Sequence, residues 1–249
     1  MRVWRLVLTI LFAGVLCLPG QEGAKSEEEK KPSEPQKPIA FLDLKNSADG
    51  SYPGGATPLS GKWSIDAGAK KLKIAPEPLV RGRLEFGPEI REKGATIQAV
   101  ACGPSSGRLK SRYGVGLYGK NGFQLRVALG TKQIELVRRG IVLTKKEFTC
   151  EPETLYQIEL SVIEVGNDWQ VSGRVWDAEK KRPKKAMISH KVITAELLFP
   201  LAGRSAVIGT PFSGESIQFA SARVFNGEFV EVEEAPEIVD DESEGDSRD

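Results

Sequence analysis

The chain has little of what most enzyme centres are built from. Its 249 residues include one histidine, His190, and three cysteines. A Ser-His-acid triad therefore has one base to draw on, and two cysteines plus a distant histidine cannot make a four-ligand zinc site once Cys17 leaves with a leader. No Gly-x-Ser-x-Gly elbow is expected, and no nucleotide-binding glycine pattern follows a strand. The Glu-x-Asp-x-Glu strand that sets alternate carboxylates on one face for glycoside cleavage is absent. Apolar runs are short as well, the longest being Leu6 to Leu16, so no multi-span membrane pattern fits.

What is present begins with a leader. Arg2 and Arg5 precede the apolar run Leu6–Leu16, which is too short and too early for a stable membrane span and reads as a Sec signal peptide over residues 1–20. Lipidation of Cys17 is disfavoured by the bulky Leu16 before it. The expected location is periplasmic or extracellular, with no transmembrane segment in the mature chain. Residues 21–38 hold no aromatic or large aliphatic side chain and read as a disordered linker. Residues 228–249 carry eleven acids against one arginine and read as a disordered acidic tail. Between them, residues 39–227 hold 28 Lys plus Arg against 18 Asp plus Glu, so a net charge of +1 conceals a basic domain and an acidic tail. Export and the lack of an aromatic-basic stripe argue against nucleic acid as a partner.

Cys102 and Cys150 are the two cysteines left in the exported chain. They are expected to pair as a disulfide, the alternative being two thiols packed as small apolar groups. Such a bridge would close a loop of about 49 residues and stabilise the fold by roughly 3–4 kcal/mol in the chain-entropy picture.

Within the domain apolar residues alternate repeatedly over five to ten positions, the period of half-buried strands. Gly119-Lys120-Asn121-Gly122 and Gly130-Thr131-Lys132 punctuate Tyr113 to Arg138 into a three-stranded meander, and Gly166-Asn167-Asp168 marks a further hairpin. The fold class is all-β, a two-sheet antiparallel sandwich with flexible termini. Alternation assigns Tyr113, Val115, Leu117, Phe123, Leu125, Val127, Leu129, Tyr156, Ile158, Leu160 and Val162 to the core. Tyr118, Gln124, Arg126, Arg174 and Trp176 fall to the outward positions, where rings could stack on sugar faces while Arg and Gln bond hydroxyls. Gly114 and Gly116 leave a flat patch beside them.

The stretch from Gly82 to Gly227 resembles the concanavalin A-like jelly-roll domains of exported bacterial proteins, especially those related to the 3-keto-disaccharide hydrolase family. The likeness is carried by Tyr113-Gly114-Val115-Gly116-Leu117-Tyr118, Gly122-Phe123-Gln124-Leu125-Arg126, Leu155-Tyr156-Gln157-Ile158-Glu159-Leu160, Gly173-Arg174-Val175-Trp176-Asp177 and Val207-Ile208-Gly209-Thr210-Pro211. It implies a jelly roll in which the early strand near Ile39–Leu44 pairs beside the final strand, Ile217 to Phe225. It carries no single function, since this architecture hosts lectins, hydrolases and adhesion modules.

Three functions follow as expectations. The first is a non-catalytic module binding a polysaccharide or other envelope component through Tyr118, Gln124, Arg126, Arg174 and Trp176. The second is a glycoside-cleaving enzyme, for which Asp177 with Glu179, Glu151 with Glu153, and Glu135 are the nearest acids. The third is a structural module whose charges choose its protein partner. No organic cofactor is expected. The loops Asn46–Asp49 and Asn167-Asp168 could supply oxygen ligands to a structural calcium.

Overall fold

The computed structural model describes residues 35–91, 94–104, 109–151, 153–212 and 214–231. The expected signal peptide, most of the expected linker and the tail beyond residue 231 lie outside the described residues. Among the described residues fifteen strands form two antiparallel sheets.

The eight-stranded sheet runs β13 (Ile188–Ile193), β12 (Asp168–Asp177), β11 (Tyr156–Val165), β6 (Gly94–Cys102), β15 (Ile217–Asn226), β4 (Lys71–Ile74) and β3 (Trp63–Asp66), with β1 (Ala40–Phe41) also on β15. The seven-stranded sheet runs β10 (Ile141–Glu147), β9 (Gln133–Arg138), β8 (Phe123–Ala128), β7 (Arg112–Leu117), β14 (Gly203–Thr210), β5 (Gly82–Ile90) and β2 (Thr57–Ser60). The expected pairing of the first strand beside the last is found, with Ala40 opposite Val224.

The meander is found in register, Val115 opposite Leu125 and Leu125 opposite Leu136. It extends by one strand: Arg139 and Gly140, both at positive φ, make a two-residue turn into β10. β10 is an edge strand with mostly exposed residues and the charged run Lys145-Lys146-Glu147, so it shows no apolar alternation. β2 contains Pro58, which fits an edge strand and hides it from sequence patterning.

The expected core is buried between the sheets. Val115, Leu117, Phe123, Leu125, Ile158, Leu160 and Val162 are fully enclosed. Leu125 reaches from one sheet to the other: a Cβ added at Gly173 of β12 would stand 2.7 Å from its Cδ2.

Two features depart from expectation. Cys102 and Cys150 are free thiols, both partly buried. Burial pushes both thiols up, Cys150 to about 12, where it also hydrogen-bonds the Tyr113 side chain. At the C-terminal end, residues 228–231 continue onto the domain, the Phe229 ring lying 4.7 Å from Phe225, and Gln36 bonds both Asn226 and Val230.

Candidate functional site

Strand order decides which outward residues share a face, and it separates the five proposed from sequence. Gln124 and Arg126 lie on β8, on the outer face of the seven-stranded sheet. Arg174 and Trp176 lie on β12, on the outer face of the other sheet. Tyr118 is on neither. Its backbone turns left-handed (φ 61°) after β7, and its ring is fully buried, edge-on to Trp169 at 5.9 Å. The αL residue breaks the two-residue period, so a position that alternation points outward turns inward.

On the eight-stranded sheet, the register sets Arg223, Gln98, Glu159 and Arg174 side by side across the outer face. Glu159 is wholly buried there. It accepts from Arg174 Nη1 at 2.5 Å, from Gln98 Nε2 at 2.8 Å, and from Arg182 Nε and Nη2 at 2.7 Å each. Arg182 belongs to the loop after β12 and lies 5.6 Å from the centre of the Phe229 ring. The centre of this face is therefore closed by the chain's own loop and C-terminal segment, and Arg174 serves that closure. Trp176 stands beside it, half-buried, opposite Gln157.

The outer face of the seven-stranded sheet is built differently. Two rows cross it by register: Glu85, Ala206, Gly116, Gln124 and Val137, then Arg83, Ile208, Gly114, Arg126 and Glu135. Ala206, Gly116 and Gly114 form the middle together with Ile208, and charged pairs flank it. Arg126 Nε meets Glu135 at 2.6 Å across the strands, and Arg83 Nε meets Glu85 at 2.9 Å along β5. Gly114 has no room for a Cβ, which would overlap the Leu125 carbonyl. A Cβ at Gly116 would sit 3.4 Å from Gln124 Cγ and 3.7 Å from Arg83 Nη1. Since β14 separates β5 from β7, Arg83 must cross Ala206 to reach this spot, and Ala206 is accordingly buried. Arg83 and Gln124 thus converge over Gly116. Sequence reasoning missed Arg83, because its only local signal is Arg-x-Glu on one strand and its glycine neighbour comes from a distant one.

The two acids of this face are not spaced as a glycosidase pair. Glu85 and Glu135 are four strand steps apart, about 19 Å at the usual spacing, against the roughly 5–9.5 Å that glycosidases need. Asp177 accepts from the Glu179 backbone and from Lys180, while Glu151 and Glu153 are exposed. His190 sits on edge strand β13, and no carboxylate among the described residues pairs with it. The letters Gly-x-Ser-x-Gly do occur at 103–107, after β6, but the chain continues into strand β7 rather than a helix, and residues 105–108 lie outside the described residues. Asp43 bonds Asn46, Asp49 bonds the Ala67 amide, and Asp168 pairs with Lys191. Among the described residues no group of three His, Cys, Asp or Glu could hold a metal ion.

A cleft of about 430 Å³ lies by the junction of β1 and β15, lined by Phe41, Asp43, Lys70 and Arg223 among others. Its Asp43 is engaged with Asn46.

No family model and no curated protein matches the sequence. Solved structures do. The carbohydrate recognition domain of Emp46p superposes with a TM-score of 0.54 at 13% identity, covering 76% of this chain and 96% of that one. The fold is that of the lectin jelly rolls. Lectin II from Ulex europaeus agrees, with a TM-score of 0.54 at 9% identity over 76% of this chain and 97% of the lectin. A bifunctional GH43-CE protein of Bacteroides eggerthii matches at TM-score 0.52 and 12% identity over 74% of this chain, and only 27% of its own length takes part. None of these three is a 3-keto-disaccharide hydrolase, and at such identities the likeness establishes the fold alone.

Proposed function

We propose that this protein is an exported, non-catalytic carbohydrate-binding module that holds a glycan on the outer face of its seven-stranded sheet. The observation that carries the reading is the band in which Gln124 and Arg83 converge over the Gly114–Gly116 floor, with Arg126 and Glu135 beside it. Planar guanidinium and amide groups set on rigid strands over a floor without side chains can bond sugar hydroxyls while the ring approaches the backbone. Lectin-fold neighbours support a sugar as the ligand, and the leader at residues 1–20 supports export. The separation and pairing of Glu85 and Glu135 support binding without cleavage. Arg174 and Trp176 are assigned to the opposite face and take no part.

The test is binding of the mature chain to a glycan array that includes bacterial and plant polysaccharides, repeated with Gln124→Ala plus Arg126→Ala and, separately, Trp176→Ala. The reading expects saturable binding that the double substitution weakens at least about tenfold, as expected for loss of two polar contacts, while Trp176→Ala leaves it unchanged. Binding lost with Trp176→Ala and kept in the double variant overturns the assignment of the face. No saturable binding to any glycan overturns the function.

A further inference from the structure

We infer that the glycan is acidic, and that its carboxylate or sulfate ester is received by the free end of Arg83; this rests on the binding face proposed above. Arg83 is the member of that face whose chemistry is incomplete. Its Nε is engaged by Glu85 at 2.9 Å, yet Nη1 and Nη2 are both buried with no hydrogen-bond partner among the described residues. A buried cationic donor left unpaired is costly, and native structures rarely keep one without a reason. The other interior arginines are better matched: Arg126 pairs with Glu135, and Arg174 leaves its Nε unpartnered while its terminal nitrogens bond Glu159 and the Lys184 carbonyl. Arg83 alone combines a charged fork, burial and a place over the glycine floor, with Nη1 3.7 Å from where a Gly116 Cβ would stand.

The two terminal nitrogens of a guanidinium present parallel N–H groups that match two oxygens of one carboxylate or one sulfate. A neutral sugar hydroxyl meets only part of that demand. The surplus of cations over acids in residues 39–227 adds a long-range attraction of the same sign. Gln124, flanking Gly116 on the other side, is placed to bond a neighbouring hydroxyl of the same residue. A uronic acid and a sulfated sugar share the recognised chemistry, and the experiment separates them.

Calorimetric titration of the full mature chain would compare polygalacturonate with its methyl ester, and dextran sulfate with dextran. The inference expects binding to at least one acidic polymer, at least about tenfold tighter than to its neutral counterpart, with polygalacturonate marking a carboxylate and dextran sulfate a sulfate ester. Arg83→Gln should weaken that binding about tenfold or more, the usual effect of losing a charged hydrogen-bonded pair. Arg83→Lys, which keeps the charge but not the fork, should also weaken it, and thermal melting of both variants would confirm that they fold. Lys191→Gln, on the edge of the other sheet, removes one charge remotely and should change affinity less than twofold. Equal losses in Arg83→Gln and Lys191→Gln would mean diffuse charge attraction and overturn the inference. So would neutral polymers binding as well as acidic ones, an outcome that leaves the carbohydrate-binding reading standing. No binding to acidic or neutral polymers overturns both.

Discussion

Replacing Glu159 by Gln removes one charge from the centre of the closed face while keeping the side chain's shape. The carboxylate is fully buried and receives four hydrogen bonds from Arg174, Arg182 and Gln98, and the side chains of Arg174 and Arg182 are themselves only 8% and 13% exposed. Stripping one partner from a buried, hydrogen-bonded ion pair costs about 3–5 kcal/mol, chiefly because the remaining charge is left uncompensated. For a domain of this size each kcal/mol lowers the melting temperature by about 2–4 °C, so Glu159→Gln should fall by roughly 6–20 °C. Arg182→Ala should cost less, because Glu159 then keeps Arg174 and Gln98 and the loop can open to water. Urea titration of both variants and of the double variant gives the ordering and the coupling energy. A Glu159→Gln protein within about 1 kcal/mol of wild type, or one more stable than Arg182→Ala, would refute the claim that this carboxylate holds the loop to the sheet.

Gly173→Ala should destabilise by about 1–3 kcal/mol through overpacking, since its Cβ would stand 2.7 Å from Leu125 and 2.8 Å from Ile188; an unchanged urea midpoint would contradict the packing between sheets. In urea without reductant, thiol titration should find Cys102 and Cys150 both reactive, whereas in the native protein at pH 8 both should react slowly because burial raises them; no reactive thiol in urea would mean that they pair after all. Asp66, Asp168, Asp177 and Asp43 are held below the ordinary carboxylate value, chiefly by bonds from the Lys73 and Lys191 ammonium groups, the Glu179 amide and the Asn46 side chain respectively. Folding therefore gains from their ionised forms above about pH 4 and loses that gain as pH falls further, so urea midpoints measured from pH 6 to 3 should drop below about pH 4; a flat profile would contradict these contacts.

Alternation placed Leu125 and Ile158 inside correctly because burial of a strand face is a local, two-residue property. It could not say that Gln124 and Arg174 look out from opposite sheets, because that follows from strand order: β7, β8 and β9 run beside β14, while β11 and β12 run beside β6. The buried place of Tyr118 depends on one left-handed backbone angle. β10 and β2 escaped notice for the physical reasons that make them edges, charge and proline. β14 was legible only as a likeness: Ala206 and Ile208 on one side and Val207 on the other are all buried, which erases the alternation. Arg83 was invisible as a site residue for the same non-local reason, since its relation to Gly116 spans two strand pairings.

The most direct test of the account is a crystal structure of the mature chain soaked with the oligosaccharide that binds best in solution. The account predicts density for a sugar lying over Gly114 and Gly116, within hydrogen-bond reach of Arg83 and Gln124. A sugar stacked on Trp176 or seated in the β1–β15 cleft, with the glycine floor bare, would contradict it.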